Sequence, residues 1–170
     1  SDAEPESEPA PPPPPVVLRD SQTPPDGDWS TWLFLGGRGA GKTLAGAEWL
    51  ADQAESAGPN GRLAPIGPTL HDVREVMIEG PSGLRNLRRW DGGERPSFEP
   101  SRRRLTFPNG CTAYAFSAED PESLRGPQLS AAWADEFCAW PRAGRRVAGE
   151  TLALLRMGLR LPRPNGAPPQ

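Results

Sequence analysis

Lysine is almost missing from this chain: of 19 basic residues, Lys42 alone is a lysine and the others are arginines. Histidine occurs once, at His71, and cysteine twice, at Cys111 and Cys138, which lie 27 positions apart. With one histidine and no Cys-x-x-Cys spacing, neither a zinc site nor a disulfide framework is expected; two reduced, buried thiols fit better. His71 reads as a polar residue in the first turn of a helix. No run approaches the ~18 apolar residues of a membrane helix. The acidic, proline-rich start also lacks the basic and then apolar order of a signal peptide. These absences predict a soluble, cytoplasmic protein with no membrane contact.

Proline, by contrast, is abundant, with 23 in 170 residues. Residues 1–28 hold the proline run 11–15 and seven acids against Arg19 alone, a charge of −6. Such a stretch buries too little apolar surface to offset its ordering entropy, so a disordered, partly polyproline-II tail is expected over 1–28. Because the whole chain is −3, residues 29–170 carry +3. That suits a polyanionic partner without requiring one. One domain is expected over 29–160, and the proline-rich residues 161–170 read as a flexible tail.

The lone lysine stands in Gly36-Gly37-Arg38-Gly39-Ala40-Gly41-Lys42-Thr43, a full match to the phosphate-binding loop G-x-x-x-x-G-K-[ST]. Glycines let backbone N–H groups wrap a triphosphate, the lysine reaches its β and γ oxygens, and the hydroxyl ligates Mg²⁺. Thr31-Trp32-Leu33-Phe34-Leu35 reads as a buried strand entering the loop, and the residues from Leu44 to Leu50 as a helix leaving it. A helix start adds aligned amide donors and a positive dipole end. ATP and Mg²⁺ are the expected ligands.

Beyond that helix, Arg62-Leu63-Ala64-Pro65-Ile66-Gly67 reads as a strand, with Pro65 hinting at an edge or an irregular position. Thr69 reads as a helix cap, with Val73, Val76 and Met77 on the following apolar face. Residues 84–103 are rich in arginine. Asn109-Gly110 between two strand-like runs is a strong hairpin signal, and Ala113, Ala115 and Ser117 alternate with Tyr114 and Phe116 as on a strand with unlike faces. Residues 150–160 read as a helix.

A short apolar strand then ends in Asp135-Glu136, some 90 residues after the phosphate loop. There Asp135 can hold Mg²⁺, and Glu136 can orient and deprotonate an attacking water. Arg38, within the loop, can sense the γ-phosphate or point outward. Arg125 can reach a neighbouring subunit's nucleotide as an arginine finger, or pair with Glu119, Asp120 or Glu122. Spacing does not choose between these.

Taken together, these residues resemble the ATPase half of a phage large terminase, and most of all the terminase-like proteins of gene transfer agents and related prophages. The likeness runs over about residues 27–160. Besides the phosphate loop it rests on the stretch from Gly67-Pro68-Thr69-Leu70-His71-Asp72 to Gly80-Pro81-Ser82-Gly83, on Glu99-Pro100-Ser101-Arg102-Arg103-Arg104-Leu105, and on Phe116-Ser117-Ala118-Glu119-Asp120-Pro121. It continues through Ser123-Leu124-Arg125-Gly126-Pro127-Gln128 and Trp133-Ala134-Asp135-Glu136. The resemblance implies an α/β P-loop NTPase of the RecA-like, additional-strand glutamate type, with a mainly parallel sheet flanked by helices and a β-hairpin insertion. It implies an Mg-dependent ATPase that drives double-stranded DNA into a capsid. Its partners would be the portal and the small terminase subunit, and it would work as a ring of identical subunits in a bacterial host. It also shifts Arg38 toward γ-phosphate sensing and Arg125 toward the finger role, giving Glu136, Lys42, Arg38 and Arg125 as catalytic residues.

The family's coupling strand and nuclease domain have no counterpart in the sequence after residue 160, so a truncated domain is expected. That leaves an alternative: a catalytically weak or inactive nucleotide-binding remnant acting as an interaction module. A helicase or recombinase-type ATPase would explain the two nucleotide motifs but not the long middle segments.

Overall fold

The structure is a computed structural model, and it describes residues 17–24 and 41–136. The expected strand at 31–35, Arg38 with most of the phosphate loop, Cys138 and the expected helix at 150–160 lie outside the described residues. The described part is a mixed sheet with helices packed on it. Helix α1 (Lys42–Ala57) starts at Gly41 and stops at Gly58, whose N–H donates to the Ala54 carbonyl. Strand β1 (Arg62–Gly67) follows. Helix α2 (Leu70–Asp72) begins at Thr69, whose hydroxyl accepts from the Asp72 N–H at 3.1 Å, as the sequence led us to expect. From Val73 to Ile78 the helix widens into a π turn. His71 lies exposed in α2.

Strands β2 (Ser97–Glu99), β3 (Arg104–Thr106) and β4 (Thr112–Tyr114) run antiparallel in succession, with Leu105 opposite Ala113. The Asn-Gly turn joins β3 to β4. It is longer than two residues: Gly110 at φ 90° donates to the Phe107 carbonyl, and Phe107 donates to Cys111. Strands β4, β5 (Phe116–Ser117) and β6 (Ala131–Ala134) each pair with β1 in parallel.

Strand β1 is therefore central, so of the edge or irregular position suggested by Pro65, the irregular one is found. The hydrogen bonds show how the proline is tolerated. The carbonyls of Arg62 and Ile66 accept from Ser130 and Asp135 on the β6 flank, whereas those of Gly61 and Gly67 accept from Thr112 and Ala118 on the other flank. Carbonyls alternate along a strand, so Pro65 faces the second flank, where pairing lapses between β4 and β5. A residue without an N–H leaves no donor unpaired there.

Both sheet faces are covered. On one, Ala47, Leu50, Ala51 and Ala54 of α1 pack with Leu63, Val73, Met77, Ile78, Leu105, Ala113, Ala115 and Trp133. On the other, Ala64 and Ile66 meet Phe116, Ala118, Leu124 and Leu129. The alternation read between 113 and 117 thus separates two cores. Strand β6 is poor in large aliphatics because α1 comes down on it closely. A methyl placed on Gly46 would stand 2.1 Å from the Trp133 indole nitrogen, so only glycine fits beneath that ring.

Candidate functional site

The site is built where α1 begins and β6 ends. Gly41, in the left-handed region at φ 75°, turns the chain into the helix and leaves Lys42 and Thr43 in its first turn. Strand β6 runs parallel to β1, and its direction carries Asp135 and Glu136 past its final residue on the same edge of the sheet. The Thr43 hydroxyl Oγ1 donates to Asp135 Oδ2 at 3.3 Å, joining residues 92 positions apart. The Asp135 N–H donates to the Ile66 carbonyl at 2.9 Å, which fixes the carboxylate's backbone to the central strand.

Asp135 is buried, and burial pushes its carboxyl above the usual aspartate range. The neighbouring Glu136 charge pushes it further, while the Glu136 backbone, the Thr43 hydroxyl and the Lys42 charge pull the other way. A buried carboxylate carrying that strain is a place where a cation gains most. One carboxylate and one hydroxyl are also a fitting protein ligand set for Mg²⁺, which keeps several of its waters. Glu136 is exposed and holds a non-glycine backbone at φ 50°, a conformation that costs energy and concentrates at functional sites.

Lys42, Thr43, Asp135 and Glu136 are thus brought together, with Gly41 beside them. Arg38 and residues 36–40 of the loop fall outside the described residues. Arg125 follows the 3-10 turn Pro121–Leu124 and lies exposed, its Nε donating to Glu122 Oε2 at 2.6 Å. Glu122 is one of the three ion-pair partners considered for it.

Sequence reading missed Gln22. Within the span expected to be tail, Asp20–Gln22 forms a 3-10 turn, and Gln22 is buried. Its amide Nε2 donates to the Gly41 carbonyl at 3.2 Å, while its Oε1 accepts from the backbone and side chain of Arg19. Here, within the span expected to be tail, one side-chain amide meets the backbone carbonyl that opens α1. A single glutamine among prolines gives no periodic signal by which to find it.

The arginine-rich stretch is largely occupied with its own neighbours. Arg85 forks onto Glu79, Arg95 reaches Asp91, and Arg102 and Arg104 share Glu99. Arg89 binds Glu48, Asp52 and Glu55 of α1. Of these, Arg89 is the least exposed, whereas Arg95 and Arg102 stay open to solvent.

Comparison with known proteins places this geometry. The family described as terminase large subunit, T4likevirus-type, N-terminal, matches residues 33–145. Among solved structures, the large terminase of the thermophilic bacteriophage D6E in complex with ADP is similar with a TM-score of 0.54 at 20% identity, over 70% of this chain and 29% of that one. The same protein in complex with ATP-gamma-S gives a TM-score of 0.51 at 21% identity, over 71% of this chain and 28% of that one. The chain therefore spans less than a third of those structures, and at this identity the likeness concerns the fold. Among curated proteins there is no match. With two thirds of its residues inside the family match, this chain belongs to the terminase large subunits of the T4likevirus type, in their N-terminal region.

Proposed function

We propose that the chain is the ATP-hydrolysing part of a DNA-packaging motor, using the site at the start of α1. The observation that carries this is the bond from Thr43 to Asp135, because a phosphate-loop hydroxyl and a strand-end carboxylate meet in this way around Mg-nucleotide. The D6E structures with ADP and ATP-gamma-S support the same ligand class.

In this reading the backbone of residues 36–41 wraps the phosphates and Lys42 neutralises charge on the β and γ oxygens. Thr43 and Asp135 hold Mg²⁺, which when bound offsets the charge of the phosphates. Glu136 takes a proton from the water whose oxygen attacks the γ-phosphorus. The bond to the bridging oxygen breaks, and ADP and inorganic phosphate leave. Arg38 adds charge inside the loop. Arg125 acts as a finger on a neighbouring subunit's nucleotide once released from Glu122. The remaining features of the proposal are double-stranded DNA as the translocated polymer, the portal and small terminase subunit as partners, a ring of identical subunits, and the host cytoplasm as the setting.

The test is ATP turnover by the purified chain, alone and with DNA, beside the Glu136→Gln variant. We expect the variant to bind nucleotide like the parent and to lose turnover by about 10²–10⁴-fold, the usual contribution of a positioned base. Equal turnover in both would place the base elsewhere. Nucleotide binding without turnover in the parent would favour the interaction-module reading.

A further inference from the structure

The inner face of α1 carries mostly small side chains, Ala47, Ala51 and Ala54, beside one large one, Leu50, with Gly46 set closely against Trp133 of the sheet. With few large side chains to key it into the sheet, the helix has room for contacts outside the core to add to what packing fixes of its tilt. Along one stripe of α1 lie the buried Glu48 and the exposed Asp52 and Glu55, at i, i+4 and i+7, where like charges repel. A single guanidinium answers all three. Arg89 Nε donates to Glu48 Oε2 at 3.0 Å, Nη2 to Asp52 Oδ1 at 2.7 Å, and Nη1 to Glu55 Oε1 at 3.4 Å. Arg89 Nη2 also reaches the Glu48 backbone carbonyl at 3.4 Å. Burial works against the charge on Arg89, and its hydrogen bonds to Asp52 and Glu48 overcome it, holding the guanidinium above its ordinary range.

Arg89 stands on a firm base. The next residue, Trp90, is buried, donates from Nε1 to the Leu84 carbonyl at 2.7 Å, and lies 6.2 Å from Phe107 between ring centres. The clamp also grips close to the chemistry: Glu48 is five residues beyond Thr43, roughly 7–8 Å along the axis at 1.5 Å per residue. A tilt of α1 there moves the Thr43 hydroxyl relative to Asp135.

We propose that Arg89 is a positioning residue for the nucleotide site, locking α1 through Glu48, Asp52 and Glu55 so that Lys42 and Thr43 are held in register with Asp135. This rests on the ATPase reading above. Lys42 grips phosphate on its own flexible stem and tolerates a small tilt, whereas the hydroxyl–carboxylate pair does not. The effect therefore falls on the metal requirement more than on phosphate binding.

The experiment is ADP binding by the full chain across a Mg²⁺ titration, with Arg89→Ala compared to Asn109→Ala. Asn109 Nδ2 donates to the Ala54 carbonyl at 2.9 Å, so its loss loosens the same helix at the end far from the site. We expect Arg89→Ala to need about tenfold more Mg²⁺ for half-saturation, a loss of the size that follows removal of a residue supporting a metal ligand. Its ADP affinity in EDTA should stay near the parent's, and Asn109→Ala should match the parent in both. Parental Mg²⁺ dependence in Arg89→Ala, or the same shift in Asn109→Ala, would overturn the proposal. If Arg89→Ala does not fold, the double variant Asp52→Asn, Glu55→Gln removes two exposed partners; it should shift the titration the same way, and an unshifted curve would overturn the proposal. If the parent binds no ADP, the ATPase reading fails separately, and hydrogen exchange then decides the clamp. Faster exchange confined to the first turns of α1 in Arg89→Ala supports it, and uniform or absent change refutes it.

Discussion

Replacing Gly46 by alanine probes the closest approach among the described glycines. The new methyl would stand 2.1 Å from Trp133 Nε1, and 2.2 and 2.6 Å from two ring carbons. Heavy atoms in contact rest at roughly 3.5 Å, so helix and indole must separate by about 1.4 Å. Overpacking of this kind costs about 1–3 kcal/mol, and alanine's better helix propensity returns about 1 kcal/mol. The net loss of stability is therefore small, about 0–2 kcal/mol. Function should suffer more. Thr43 is on the same helix, three residues earlier, and its 3.3 Å bond to Asp135 has little slack. A misplacement near 1 Å costs on the order of 10²-fold in rate. Thermal unfolding and ATP turnover, measured on Gly46→Ala and on Gly46→Ala with Trp133→Leu, check this. The second change makes room for the methyl and should recover part of the rate. Parental turnover in Gly46→Ala, or no recovery in the double variant, would refute the coupling between helix seating and site geometry.

Three further outcomes follow from the site and the core. Burial and the Glu136 charge raise the Asp135 titration, so the folded chain holds that proton more tightly than the unfolded chain. The resulting stability is full below the ordinary aspartate range, about pH 3.9, and is lost as pH rises through Asp135's raised titration. Asp135→Asn should therefore raise the melting temperature at neutral pH in EDTA while abolishing turnover; a lower melting temperature would contradict this. Asn109→Ala removes two hydrogen bonds, to Ala54 and from Cys111. It should cost about 1–3 kcal/mol in denaturant unfolding, at about 1 kcal/mol per bond, without changing turnover per folded molecule. Burial pushes the Cys111 thiol up to about 11, so in a Cys138→Ser background a thiol reagent at pH 8 should label the chain only when it unfolds. Rapid labelling of the native protein would show that the strand is open.

Local signals in the sequence carried the parts that local chemistry decides. Gly41-Lys42-Thr43 announced the start of α1, Thr69 its cap on the next helix, and Asn109-Gly110 the turn between β3 and β4. The position of Asp135 and Glu136 just past a short strand was legible from the apolar run before them. Features set by distant partners were not legible. Pro65 left an edge and an irregular position both open, because its neighbours in space, β5 on one flank and β6 on the other, come from residues 116–134. Gln22 was hidden because its partner carbonyl is 19 positions away, and Arg89 because its three acids lie 34 to 41 positions back on another element. Counting arginines between 84 and 103 showed their number but not that four of them, Arg85, Arg89, Arg95 and Arg102, pair with nearby acids.

The account depends most on Lys42, Thr43 and Asp135 forming one site for Mg-nucleotide. Calorimetric titration of ADP into the purified chain, with Mg²⁺ and with EDTA, and again into Lys42→Ala, tests that directly. Saturable one-to-one binding that weakens in EDTA and is lost in Lys42→Ala is the predicted result. No binding by the parent, or an affinity indifferent to both the metal and the lysine, would contradict it.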